Sequence, residues 1–196
     1  MELGIGEYIL EEIKAPEGYT VNGYEGISEN GTIKWEREEK IRFSINTNTA
    51  YYTDSYLGKY VIVINQENKS VVGTIKIKAS TGEFLTNAEK ENEKYEFNYE
   101  TRPVANSTYK LCAKEDIYTL DNQGELIYSK DEIVSYLTTD SNGEAIIEKL
   151  PLGKYYLKQT EPAEGFSLRE EVTEVELSYE GQEVPVVFRE VKQNEI

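Results

Sequence analysis

The chain has 196 residues, of which 37 are acidic and 21 basic, giving a formal net charge of −16, with one cysteine and no histidine. That length accommodates about one to two domains, each able to bury its own core. The charge argues against nucleic acid or an anionic membrane as partner, and the histidine and cysteine counts remove intrachain disulfides, Ser-His and Cys-His nucleophile pairs and the usual zinc clusters.

No cofactor or metal is expected. No apolar run approaches a membrane span, and Met1 does not open a basic-then-apolar leader, so any export signal or anchor is expected outside this stretch.

In chain order, the first element is "GEYILEEIKAPEGY" (6–19), apolar at alternate positions and closed by a Glu-Gly-aromatic turn. The loop "TAYYTDSYLGKY" (49–60) offers Tyr51, Tyr52 and Tyr56 as exposed aromatics, and "KYVIVIN" (59–65) reads as a strongly apolar strand. The polar "NQENKS" (65–70) marks a boundary, after which "GTIKIKA" (73–79) resumes the period of two. The long polar stretch 86–107 reads as an inserted hairpin or loop at a module surface.

Cys112, between apolar neighbours in "YKLCAKEDIY", reads as a small core residue. "SKDEIVSYL" (129–137) makes either one short turn of helix or a strand, and "KYYLKQT" (154–160), "VTEVELSY" (172–179) and "VPVVFREV" (184–191) are strands. Spacers such as "STG", "DNQG", "DSNG" and "YEGQ" carry turn chemistry. The expected class is all-β, as sandwich modules.

The opening phrase recurs. "GKYYLKQTEPAEGF" (153–166) aligns with residues 6–19 without a gap, matching Tyr8 with Tyr155, Leu10 with Leu157, and Glu17-Gly18-Tyr19 with Glu164-Gly165-Phe166. Internal repeats of this kind report repeated structural units. The second copy is preceded by a long β pattern that the first lacks, so residues 1–70 read as the C-terminal part of a module whose first strands are missing, and 71–196 as a complete module.

These residues carry a family resemblance. "GTIKIKASTGEFL", then "LTTDSNGEAIIEKLPLGKYYLKQTEPAEGF", then the closing "VVFREV" resemble the CnaB-type (SpaA-type, prealbumin-like) modules of Gram-positive pilins and collagen-adhesin stalks. The resemblance implies tandem Ig-like (inverse-Ig) β-sandwiches on the bacterial cell surface, anchored to the wall through segments outside this chain. It also implies, for many modules, an isopeptide bond between a Lys on the first strand and an Asn on the last, assisted by a Glu in the "YxLxExxAPxGY" phrase, the E-box.

The chemistry requires burial. A desolvated Lys loses its charge and becomes a nucleophile, while a Glu kept protonated by the same surroundings polarises the Asn amide and shuttles the protons that release ammonia. Carried over, the resemblance assigns the acid/base role to Glu12 and the acceptor role to Asn65, with their Lys on a strand not among residues 1–70.

The second module departs from the pattern. Gln159 stands where Glu12 stands in the first copy, and an amide does not cycle a proton near neutrality. Lys76 and Lys78 on the first strand and Asn194 near the end are weaker candidates, because a shift of one residue turns a strand side chain to the opposite face. If Ile75 and Ile77 face the core, both lysines face water, and this module is expected to remain uncrosslinked.

Acidic pairs such as Asp140 with Glu144, or Glu115 with Asp116, are set aside as metal or glycosidase sites because "DSNGEA" is tight-hairpin sequence. "LPLGK" (150–154) lacks the Thr of a sortase signal. Two functions follow from different classes: a structural stalk whose partners are neighbouring modules or a strand from another chain, and a binding module that grips host matrix protein or glycan through 86–107 or 47–60.

Overall fold

The computed structural model describes residues 3–21, 24–29, 32–37, 40–49, 52–56, 58–64, 67–81, 84–91, 94–120 and 124–195. Two compact units emerge: residues 1–70 with 181–185, and residues 71–180 with 186–196. No helix among the described residues is long and apolar enough to cross a membrane.

The first unit contains β1 (Gly6–Leu10), β2 (Tyr24–Glu29), β3 (Thr32–Arg37), β4 (Ile41–Ile45), β5 (Tyr52–Asp54) and β6 (Lys59–Val61). They pair antiparallel as β1 with β4, β2 with β3 and β5 with β6. Tyr8 stacks on Phe43 across the first pair, with ring centroids 5.4 Å apart. Two-stranded ribbons are marginal in water because each buries little apolar area, and here Ile5, Ile9, Ile13 and Val63 remain exposed.

The apolar run "KYVIVIN" pairs only over Lys59–Val61, and Ile62 and Val63 stand outside any strand. Composition predicts a strand over the whole run. A strand also needs a neighbour to satisfy its backbone, and none of the described strands pairs with 62–64.

The second unit runs β7 (Val72–Thr81), β8 (Phe84–Glu91), β9 (Lys94–Glu100), β10 (Thr108–Ala113), β11 (Ile117–Tyr118), β12 (Leu126–Tyr128), β13 (Ile133–Thr138), β14 (Glu144–Leu150), β15 (Gly153–Glu161), β16 (Val172–Leu177) and β17 (Val186–Glu195). One sheet has the order β13-β10-β15-β16, the other β14-β7-β17. Between them lies a core built from inward positions of both, with Ile75, Ile77 and Val187 from one sheet against Leu111, Tyr155 and Leu157 from the other. Each such side chain stabilises the fold by ~1.5–3 kcal/mol through removal from water.

Two glycines allow close approaches. A Cβ on Gly73 of β7 would lie 2.2 Å from Leu177 Cδ1, and one on Gly143 would lie 2.3 Å from the Ala79 carbonyl oxygen. Gly143 also has φ +71°, a conformation that the Asp140–Glu144 turn requires.

The first and last strands of this unit are parallel neighbours, in register over ten pairs from Val72 with Val186 to Thr81 with Glu195. The last strand therefore continues well past the apolar "VPVVFREV". Within 129–137 the first four residues form a turn, closed by the Glu132 N–H donating to the Ser129 carbonyl, and Ile133 onward is strand β13, while the insertion takes the hairpin form through β8 and β9.

Candidate functional site: a buried polar cluster between the sheets

Strand phase determines which polar side chains enter the second unit's core. On β17, Val187 and Val191 point inward, and continuing that alternation brings Gln193 and Glu195 inward as well, each 3% exposed. On the opposing sheet, Tyr109 of β10 pairs directly with Gln159 of β15, and both side chains are buried. The two sheets thus present an amide and a phenol to a carboxylate.

The contacts close the cluster. Glu195 accepts a hydrogen bond from the Tyr109 hydroxyl at Oε1 and one from Gln159 Nε2 at 2.7 Å at Oε2. Gln159 Oε1 accepts from the Arg169 backbone N–H at 2.7 Å, and Arg169 Nη1 donates to Gln193 Oε1 at 3.2 Å. Gln193 Nε2 donates to Thr173 Oγ1 at 2.9 Å. Both Glu195 oxygens and the Gln159 and Gln193 amides are thus hydrogen-bonded, the condition under which buried polar groups stabilise rather than weaken a core, and among the described residues Ser107 Oγ is the buried side-chain polar atom left without a partner.

Burial, reinforced by the hydrogen bond to Glu195, pushes the Tyr109 phenol well above its ordinary range. Tyr109 therefore remains a proton donor at any physiological pH. Glu195, accepting at both oxygens, holds the end of β17 to the opposite sheet.

The lysines behave differently. Ile75 and Ile77 are fully buried, so Lys76 and Lys78 emerge on the far face of β7. Lys76 Nζ lies 2.7 Å from Glu144 Oε1, and Lys78 Nζ 3.9 Å from the same oxygen. The Glu144 hydrogen bond holds the Lys76 amine above its ordinary pKa, hence protonated, the opposite of what nucleophilic attack requires. Asn194, between inward Gln193 and Glu195, is exposed. Lys76, Lys78 and Asn194 thus face away from the core in which Gln159 is buried.

In the first unit Glu12 is half-buried, and its Oε1 accepts a hydrogen bond from Asn68 Nδ2 at 2.8 Å. Asn65 lies outside the described residues. The carboxylate assigned by the E-box frame thus meets an amide from the same 65–70 segment, at a position that the sequence did not single out.

The remaining candidates resolve as ordinary turn and surface chemistry. Asp140 Oδ1 accepts from the N–H groups of Asn142 and Glu144, at 2.8 and 2.9 Å, and these bonds hold its carboxyl below the usual range. No cluster suited to a metal occurs among the described residues. Tyr56 is exposed, whereas Tyr51 lies outside the described residues.

Sequence reasoning missed Tyr109, Arg169, Gln193 and Glu195. The one available signal was the phase of Val187 and Val191, which marks Gln193 and Glu195 as inward and Asn194 as outward.

Comparison with known proteins returns a family model for SpaA, described as a prealbumin-like fold domain, over residues 71–192. A collagen adhesin of Staphylococcus aureus is 29% identical over 157 residues, covering 76% of this chain and 11% of the adhesin. The chain thus spans only a small part of that relative's length. The Bacillus anthracis TIE protein matches 99% of this chain and 26% of its own, with a TM-score of 0.50 and 20% identity. The full-length major pilin SpaD of Corynebacterium diphtheriae matches 63% of this chain and 32% of its own, with a TM-score of 0.37 and 16% identity.

Proposed function

Because the chain belongs to the family of SpaA prealbumin-like fold domains, we propose that it is a stalk segment of a Gram-positive surface pilin or adhesin, displayed outside the cell and joined to neighbouring modules. It is a structural, pilin- or adhesin-like backbone domain rather than an enzyme.

The observation that supports the stalk reading is the ten-residue parallel pairing of β7 with β17. Tension applied at the start of β7 and the end of β17 loads that ladder in shear, so its hydrogen bonds must fail together. Unzipping would break them one at a time. The Glu195 cluster adds a tie to the opposite sheet at the C-terminal end of the same ladder.

Single-molecule pulling on the whole chain tests this, because forced unfolding is governed by the unfolding barrier. With Cys112 replaced by Ala, handles placed beyond the start of β7 and the end of β17 should require severalfold more force than handles at Val72→Cys and Val186→Cys, which open the ladder from one end. Equal forces in the two geometries would remove the mechanical argument.

Within this reading, residues 1–70 are the C-terminal part of a further module, in which Glu12 serves as acid/base and Asn65 as acceptor for a Lys on a strand supplied from elsewhere. Support comes from the E-box frame and from the hydrogen bond that brings Glu12 to the 65–70 segment. An extended Lys-bearing peptide should form an adduct on denaturing gels that disappears in Glu12→Gln and Asn65→Ala. Persistence of the adduct in both variants would remove these two residues from the assignment.

A further inference from the structure

The hairpin of β8 and β9 pairs only with itself among the described strands, leaving both of its edges without a strand neighbour. Its two faces differ. Ala88 opposes Phe97, and the alternation places Tyr95 and Leu85 on that same face. Leu85, Tyr95 and Phe97 are 49%, 60% and 53% exposed, and the Tyr95 and Phe97 rings stack with centroids 6.3 Å apart.

On the other face the register sets Glu91 against Lys94 and leaves one pair of like charges. Glu89 stands directly across from Glu96, both exposed, an arrangement that weakens a strand pair unless positive charge is brought to it. Residues 84–100 carry five glutamates (positions 89, 91, 93, 96 and 100) against lysines at 90 and 94. A second copy of this chain, itself at −16, would add to that repulsion.

We infer that the β9 edge is a docking site for an extended, basic segment of a partner protein in which Lys or Arg alternates with apolar residues. Added as a third strand, such a segment gains backbone hydrogen bonds along β9, sets its apolar side chains beside Tyr95 and Phe97, and sets its cations beside Glu96, the β9 member of the like-charged pair. The alternation of the edge selects the alternation of the ligand. The inference stands independently of the stalk reading, which rests on β7 and β17.

Isotope-labelled whole chain, titrated with an alternating Lys-Val octapeptide and separately with its Glu-Val counterpart, tests the proposal by amide chemical shifts. The Lys-Val peptide should shift amides of β8 and β9, the Glu-Val peptide should leave them unchanged, and Phe97→Ser, which preserves net charge, should weaken binding at least tenfold. Equal response to the two peptides, shifts confined to other strands, undiminished binding by Phe97→Ser, or no binding would each overturn it. Shifts of the hairpin amides with chain concentration alone would replace the proposed partner by a second copy. Retained shifts for the β10 and β15 amides show that the variant is folded.

Discussion

Residues 6–19 and 153–166 spell nearly the same phrase, yet the side chains at its seventh position, Glu12 and Gln159, live in different surroundings. Glu12 is half-buried and accepts from the Asn68 amide. Gln159 is 3% exposed and lies between the Glu195 carboxylate and the Arg169 backbone. An amide suits the second position because it donates to Glu195 with its nitrogen while accepting from Arg169 with its oxygen. A carboxylate there would face another carboxylate. The phrase supplies the strand and the turn, and the residues that meet it decide whether its seventh position is a half-buried carboxylate or closes a buried hydrogen-bond cluster.

The contrast breaks most severely at Glu195. Glu195→Ala leaves the Tyr109 hydroxyl and Gln159 Nε2 buried without an acceptor, which should cost about 3 kcal/mol. Urea unfolding followed at the second unit should show a lower midpoint with an unchanged slope.

Gln159→Glu makes the second copy resemble the first and should cost ~2 kcal/mol at pH 7, because two carboxylates then share one buried site. Protonating the pair on acidification should recover much of that loss. The restored E-box carboxylate should still produce no crosslink, since Lys76 and Lys78 of the first strand face away from it.

Tyr109→Phe should cost about 1–2 kcal/mol near neutrality through the lost hydrogen bond. Its pH dependence sharpens the assignment. Burial and Glu195 raise the folded-state pKa of Tyr109, so its contribution is fully present below the unfolded value of about 10 and is lost as the pH rises above it. The Phe variant should lose stability less steeply above that pH. Tyr155, whose phenol burial also raises, should preserve part of the alkaline decline.

The smallest effect belongs to the first copy. Glu12→Gln retains an oxygen for Asn68 and should alter stability by less than ~0.5 kcal/mol, as expected for a partly solvated pair.

The framework of the second unit was legible because its core follows simple alternation. Ile75, Ile77, Tyr155, Leu157 and Val187 all fall on the inward phase of apolar strands. The polar cluster was not, because apolar patterning treats Gln193 and Glu195 as the end of a strand, whereas their burial depends on Tyr109, Gln159 and Arg169, which are distant in sequence. Asn194 attracted attention by its chemical type, and the phase set by Val191 turns it outward. Ile62 and Val63 show the converse limit: an apolar composition marks a capacity for pairing but does not supply the neighbouring strand.

The central claim is that the end of β17 is held to the opposite sheet by the hydrogen bonds of the Glu195 cluster, and not by the covalent bond that the sequence resemblance implies for many modules. Intact-mass measurement of the whole chain under denaturing conditions tests it most directly. The account predicts the unmodified mass, because the described lysines of the second unit face outward and Gln159 replaces the proton-cycling carboxyl. A loss of about 17 Da, the mass of one ammonia, mapped to a link within residues 71–196 would contradict it.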